Sequence, residues 1–324
     1  MKTKILSIIL AATLLFGVMQ TAVFAIDARE TAEVYFSATS DEIIVPLGTL
    51  EVYDGIAEEY GYTVSAEDHN GVAVEGITVL DVLVAAHADY YGADFTADTA
   101  TDYLVVSGGF LQKAFGEKAT ASGFTVNNEV PHDDIMTAYG YTGYAADTSV
   151  VETGDFVSFF FYQDTYYYMD VLASFDSLSD TYKPGDSVTY TLSGYYAAWY
   201  GCSDAETIAD NTEALADIDV FMKEAGQETF TKIGTTDENG QITIDFMLEG
   251  DYTIYATGET DTGSPVIYSW SIAHVAEEEP ETPDTPDGSF LFEKAGAFFT
   301  SVYTLVYDIL ASVYNFVVSL INLF

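Results

Sequence analysis

The chain has 324 residues, with 52 Asp and Glu against 9 Lys and Arg, which gives a formal net charge of −43. So acidic a surface repels nucleic acids and anionic headgroups, and nucleic-acid binding is therefore excluded as the expected activity. Hydrophobic residues make up 49% of the chain, with 25 Tyr and 21 Phe, so the sequence is also too apolar for a disordered acidic protein.

The N-terminus predicts export. Residues 1–25 combine two lysines, an apolar run, and the small residues Val23 and Ala25 at the cleavage positions of a secretory signal peptide. Ile26 is then the first mature residue, and an uncleaved N-terminal anchor is the alternative. We expect an extracellular protein at the cell surface or associated with a membrane.

Residues 26–164 predict a small α+β domain. In "TVLDVLVAAHADYYG", Thr78 and Asp81 resemble a capping box and Gly92 a stop signal. Between them, apolar residues recur at helical spacing: Val79, Leu80, Leu83, Ala86 and Tyr90. The stretches "DYLVVSGGFLQ", "GFTVNNEVP" and "DFVSFFFYQ" then predict strands divided by turns, so we expect an antiparallel sheet with one helix and a domain boundary near Asp164.

Three stretches of this domain resemble the transcobalamin-like C-terminal domain family of secreted bacterial proteins: "GITVLDVLVAAHADYYG", "ASGFTVNNEVPHDD" and "YAADTSVVETGDFVSFFFYQD". The positions that match the motif are Ser122, Gly123, Phe124, Val126, Asn127, Pro131, Gly154, Asp155 and Val157. The family usually has Trp where Phe124 stands and glycine where Asn128 stands. The resemblance implies a ligand-binding module, which closes over a corrinoid in animal cobalamin carriers and has varied architectures in bacteria.

A ligand site is expected on one aromatic face of this domain, where rings could stack on a corrinoid or a sugar. The candidate residues are Phe110, Phe124, Asn127, Pro131, His132, Tyr139, Tyr141 and Tyr144. The alternative is that these aromatic residues serve only core and turn packing.

Residues 165–276 read as short strands with regular turns, which predicts a β-sandwich. Within "TTDENGQITIDFMLEGDYTIYATG", Asn239 and Gly240 predict a tight hairpin turn. Tyr252 stands where a tyrosine corner is expected, and Ile254 stands where antibody domains have cysteine. This region resembles a bacterial immunoglobulin-like or prealbumin-like sandwich, which implies a spacer or an adhesive module.

Motifs for catalysis or metal binding are not found in the sequence, so no enzyme and no cofactor are expected. The four histidines are scattered, and Cys202, the lone cysteine, is interpreted as a half-buried inert thiol rather than a nucleophile or an intermolecular partner. "PHDD" from Pro131 to Asp134 could hold a divalent ion, although carboxylate pairs are unavoidable in so acidic a chain. Cobalamin and Ca²⁺ stay open as ligands.

The C-terminal part predicts a Pro-rich acidic linker at 277–289 and an apolar helix at 290–324. Polar residues from Ser301 to Asn322 recur every three or four positions and form one stripe. The remaining surface is expected to associate with a membrane: Phe298, Phe299, Val302, Leu305, Val306, Ile309, Leu310, Val313, Phe316, Val317, Leu320, Ile321 and Phe324. The helix could lie in the membrane interface, span as an oligomer, or pack on a partner or on its own domains.

Together these patterns predict an exported, surface-associated, non-catalytic binding or adhesion protein for a small ligand or glycan. A corrinoid capture protein is the alternative, and a hydrolase is a third possibility.

Overall fold

The computed structural model describes residues 29–138, 140–224 and 226–277. Its helices are α1 (Ile56–Glu59), α2 (Val79–Tyr91), α3 (Ala197–Tyr200) and α4 (Ala205–Asn211). Its strands are β1 (Thr31–Thr39), β2 (Ile43–Tyr53), β3 (Val105–Ser107), β4 (Phe110–Ala114), β5 (Glu117–Lys118), β6 (Ser122–Val126), β7 (Phe156–Phe161), β8 (Val171–Phe175), β9 (Ser179–Tyr182), β10 (Asp186–Tyr196), β11 (Glu213–Ala214), β12 (Asp219–Glu224), β13 (Thr231–Thr235), β14 (Gln241–Phe246), β15 (Gly250–Glu259) and β16 (Pro265–Val275). The predicted mainly β fold class is confirmed.

The first module, from β1 to β7, is built on a four-stranded sheet in the order β2-β1-β7-β6. The pairs β1-β2 and β6-β7 are antiparallel, as predicted, whereas the central pair β1-β7 is parallel. The sheet is therefore mixed, because the chain leaves β1 and β2, crosses over through α2 and long loops, and returns alongside β1 in β7. Strands β3, β4 and β5 form a separate small sheet.

Helix α2 begins and ends where its sequence predicts. The Asp81 carboxylate accepts hydrogen bonds from the Thr78 backbone N–H at 2.9 Å and from the Ala57 N–H at 3.0 Å, and Thr78 Oγ1 accepts from the Asp81 N–H at 3.3 Å. This capping box satisfies backbone donors at the helix N-terminus. Gly92 follows the last turn with a φ of 55°, so α2 is held at both ends and packs its apolar side on the sheet.

The second module, from β8 to β16, is a β-sandwich, as predicted. Strand β14 alternates between exposed and buried residues, and its buried Ile242, Ile244 and Phe246 join the core between the layers. Tyr252 forms the predicted corner, with its hydroxyl donating to the Leu248 carbonyl at 2.9 Å. Ile254 is fully buried in the same core, so apolar packing occupies the place of a disulfide.

The predicted hairpin at Asn239 and Gly240 is wrong. Strand β13 pairs with β12, whereas β14 pairs with β10 in the other part of the sandwich, so the turn connects two layers. Gly240 alone of the two has a positive φ, of 72°. A Cβ on it would stand 2.3 Å from the Leu192 carbonyl oxygen, and this close approach explains the glycine.

The two modules are joined by apolar contacts on the sheet face opposite α2. One cluster includes Leu47 and Phe156 of the first module with Tyr255, Trp270 and Ile272 of the second. Another joins residues from both sides of the predicted boundary: Phe160, Leu172, Ala197 and Ile267. The chain is accordingly one compact unit as far as Ala276, and the boundary near Asp164, in the loop between β7 and β8, stays a prediction of the sequence.

The predicted signal peptide, most of the linker and the apolar C-terminal helix lie outside the described residues. Within residues 29–277, apart from 139 and 225, no helix has the length and hydropathy needed to cross a membrane.

His87 predicts a specific dependence of stability on pH. Its buried ring donates from Nδ1 to the Leu83 carbonyl at 2.7 Å, accepts from the Phe115 N–H at Nε2 at 2.8 Å, and stacks on Phe115. The bond from Phe115 requires the neutral ring, because a protonated Nε2 cannot accept, whereas Nδ1 donates to Leu83 in either state; burial lowers the pKa of His87 from 6.5 to about 4. The contribution of His87 to the unfolding free energy is therefore fully present above pH 6.5 and is lost as the pH falls towards 4, because the unfolded chain binds the proton at a higher pH than the folded protein does.

We expect the unfolding free energy of the native protein to fall by roughly 3 kcal/mol more than that of His87→Gln between pH 7 and pH 4. Gln does not titrate, so urea unfolding of both proteins across this range isolates the histidine from the carboxylates. Parallel curves for the two proteins would contradict this account.

Candidate functional site

A cleft of about 790 Å³ lies where the two modules meet. The first module contributes Gly109–Gln112 around β4, Ser122–Phe124 on β6, and the segment Tyr144–Ala146. The second module contributes Ala197–Trp199 of α3 together with Cys202 and Ser203. The volume lies in the range of ordinary ligand sites.

The described residues that line this cleft carry no charge, although the whole chain has a net charge of −43. Aromatic rings dominate the lining: Phe110, Phe124, Tyr144, Phe160, Tyr162, Tyr168 and Trp199. Hydroxyl and amide groups of Gln112, Thr120, Ser122 and Ser203 lie among them. The chemistry of the cleft therefore favours a neutral ligand that has both apolar faces and hydrogen-bonding groups.

Two of these rings are more than half exposed to solvent. Phe110 is 70% exposed and Trp199 is 62% exposed, and they come from opposite modules. Large exposed rings gathered around one concave surface indicate a binding site, whereas scattered ones do not.

Strand β6 brings backbone groups to the cleft, since it pairs with β7 and ends the described order of its sheet. Gly123 on this strand faces the Phe160 ring, and a Cβ there would stand 2.6 Å from the ring. Glycine thus lets the edge strand approach Phe160 closely at the cleft.

The loop between β7 and β8 places Tyr168 at the cleft. The Asp164 carboxylate accepts from the N–H groups of Tyr166, Tyr167 and Met169 at 3.1, 3.0 and 3.3 Å. These bonds, first of all that of Tyr167, lower the pKa of Asp164. The buried Asp170 carboxylate accepts from Gln163 and Asp164 at 2.7 and 2.9 Å, so two carboxylates fix the backbone of this tyrosine-rich loop.

A backbone contact closes one end of the cleft across the modules. The Tyr141 N–H donates to the Cys202 carbonyl at 2.7 Å, and a Cβ on Gly140 would stand 2.6 Å from the same oxygen. Burial raises the pKa of the Cys202 thiol. A protonated thiol is a poor nucleophile, which agrees with the interpretation of Cys202 as inert.

The predicted ligand residues do not form one face. Phe110, Phe124 and Tyr144 line the cleft. Tyr144 also borders a neighbouring depression with Asn127, Pro131 and His132, where Asp68, Glu129 and Asp134 bring charge. Tyr141 stacks on His132 at 4.4 Å beside a third depression, and Tyr139 lies outside the described residues.

Asn127 is committed to the fold. Its side-chain nitrogen donates to Asp155 at 2.7 Å, and its oxygen accepts from the Phe156 N–H at 2.9 Å. Two parts of the transcobalamin-like motif, the turn at Asn127 and the glycine-aspartate pair before β7, are thereby one structural clamp. The nitrogen and the oxygen of the asparagine amide are thus both engaged within the fold.

The "PHDD" segment is bonded to His69, a residue that the spacing of the sequence does not connect with it. Asp133 Oδ2 lies 2.6 Å from His69 Nε2 and accepts from Asn70 at 3.1 Å, while Asp133 Oδ1 accepts from the Thr142 N–H at 3.1 Å. The His69 bond, followed by the Asn70 and backbone bonds, holds the pKa of Asp133 far below its usual range. The cluster clamps two loops together, and among the described residues no group of three or more His, Cys, Asp or Glu could hold a metal ion.

Sequence reasoning missed the half of the cleft that the second module supplies. Trp199 lies in "YYAAWYG" and Tyr168 in "DTYYYMD", and the density of aromatic residues was the available signal. The sequence indicates a spacer or an adhesive module for the sandwich, so it assigns none of these rings to a site.

No protein-family profile matches the chain, and no curated protein matches it. Among solved structures it is similar to fibronectin(III)-like modules of Clostridium thermocellum CbhA, with 10% identity, a TM-score of 0.20, and coverage of 33% of this chain and 99% of that one. So low a score carries no argument about the site. The mainly β architecture is shown, whereas membership of a transcobalamin-like family stays a prediction.

Asp164 should control the order of the tyrosine loop. In Asp164→Ala, we expect amide hydrogen exchange at Tyr166 and Tyr167 to speed up by about tenfold, because hydrogen bonds to a charged acceptor are lost. Asp164→Asn is the matched control, since its remaining oxygen can still accept from both amides. Equal exchange rates in all three proteins would show that the carboxylate does not order the loop.

Proposed function

We propose that this protein is an exported, non-catalytic binding protein that holds a neutral small molecule or glycan in the cleft between its modules. The observation that carries the proposal is an uncharged, aromatic cleft in a chain of net charge −43. Excluding carboxylates from this one concavity avoids unpaired charge next to a neutral ligand. The resemblance of the first module to transcobalamin-like domains supports a ligand-binding role.

Support for a non-catalytic role comes from the composition of the lining. Hydroxyl groups and the Cys202 thiol are present, but neither histidine nor a carboxylate lies among the described lining residues to serve as a base. A bound molecule would therefore be held and released unchanged. The signal-peptide pattern at residues 1–25 supports export.

Association with the cell surface rests on the apolar sequence of residues 290–324, of which residues 295–324 carry a single charged residue, Asp308, near the middle. Such a segment would have an energetic reason to leave water for a membrane interface or for a copy of itself. The binding modules would then remain close to the cell.

Ligand binding is tested by calorimetry on the mature chain with a panel of neutral oligosaccharides and with cobalamin. Phe110→Ala should weaken binding about tenfold, because an exposed ring contributes its stacking without supporting the core. Tyr141→Ala, which removes a ring outside the cleft, should bind as the native protein does.

Affinity should also be the same at 20 mM and 500 mM salt, since screening acts only between charges. Binding of a corrinoid would be detected as a change in visible absorbance. Binding that weakens with salt, or that responds to Tyr141→Ala and not to Phe110→Ala, would contradict the proposed site.

Surface association has a separate test. Cells producing residues 1–288 should release the protein into the medium, whereas cells producing the full chain should retain it in the membrane or envelope fraction. Identical fractionation of the two forms would remove the C-terminal segment from the proposal and leave the cleft unaffected.

A further inference from the structure

If the cleft binds a ligand, as the proposed function states, its exposed rings and neutral polar groups indicate the chemical class of that ligand. Phe110 and Trp199 line it from opposite modules and keep most of their ring surface in contact with solvent. A ligand enclosed as a whole would need buried rings, whereas these rings suit a molecule that lies along an open surface. The hydroxyl and amide groups of Gln112, Thr120, Ser122 and Ser203 stand beside them.

The aromatic surface continues beyond the cleft along the loop fixed by Asp164. Tyr168 lines the cleft, and Tyr166 lies two residues away, within about 8 Å along the backbone. Tyr166 and Tyr167 are 78% and 67% exposed, and their rings meet edge to face at 4.5 Å. The backbone of this pair is held by the same carboxylate bonds, so its rings are presented at a low entropy cost.

We propose that the cleft binds a neutral glycan chain, with pyranose rings stacked on Trp199 and Phe110 and the chain continuing over Tyr166 and Tyr167. A pyranose ring offers an apolar C–H face to an aromatic ring and hydroxyl groups at its edges. The aromatic rings and the neutral polar groups of the cleft match these two features.

Charge selects among glycans. The cleft lining is neutral, but the surrounding protein is strongly acidic, so chains with carboxylate or sulfate groups are repelled before they reach the rings. Neutral chains escape this repulsion. The glycan is therefore one without acidic groups.

The test uses the mature chain on an array of neutral and acidic glycans, followed by calorimetry with soluble chains of one, three and six rings. Neutral chains should bind, with an affinity that increases with length. Trp199→Leu should weaken trisaccharide binding about tenfold, while Trp199→Phe should retain most of it, because the second variant keeps an aromatic face.

Tyr166→Ser combined with Tyr167→Ser should leave trisaccharide binding unchanged and abolish the gain from three to six rings. Thermal melting of each variant checks that the fold is intact, and the exposed position of these side chains makes that the expected result. Equal binding by Trp199→Leu and Trp199→Phe would overturn the stacking role.

Failure of this inference differs from failure of the proposed function. Binding of cobalamin or another neutral small molecule that Trp199→Leu weakens, with no glycan bound, would retain the cleft as a ligand site and overturn the glycan assignment. Binding of an extended peptide in place of glycans would also overturn it. No effect of Phe110→Ala or Trp199→Leu on any bound molecule would overturn both.

Discussion

The arrangement of the molecule depends on strand β7, which is buried on both of its faces. Val157 and Phe159 point into the core beneath α2, whereas Phe156 and Phe160 pack against the second module. If β7 had only one apolar face, the other face of its sheet could lie in solvent, and the first module could stand as an independent domain. The second apolar face requires a covering layer, and the sandwich supplies it with Trp270 and its neighbours on β15 and β16.

The cleft follows from this packing. The gap lies beside β6, which ends the described order of its sheet. The short helix α3 and the loop after β7 reach this gap from the second module, so the site is built from residues distant in sequence. Gly123 and Gly140 allow close approaches at its floor and rim.

Local features were predictable from the sequence, whereas pairing between distant segments was not. The capping box of α2 and the tyrosine corner depend on residues three or four positions apart, and both are present. The turn at Gly240 shows the limit, because dipeptide chemistry specifies a bend but not which strand will accept the hydrogen bonds that follow it. The parallel pairing of β1 with β7 was hidden for the same reason.

The site shows the same limit. Phe110, Phe124 and Tyr144 are recognisable as aromatic residues in turn-rich sequence, yet Asn127, from the same stretch as Phe124, binds Asp155 and the Phe156 N–H with its side chain. Trp199 and Tyr168 could be assigned to the site only once the two modules were in contact. The His69–Asp133 clamp likewise joins loops more than sixty positions apart.

Strand β16 is the last of the described strands, and it lies between β15 on one side and β8 and β9 on the other. It contributes Ala273 to the sandwich core and Trp270 to the contact between modules. During synthesis, neither the sandwich core nor the contact between the modules can be completed until the chain has been made as far as residue 275. If the chain is exported as proposed, this delay would favour translocation, because the central sheet stays incomplete until almost all of the folded unit has been made.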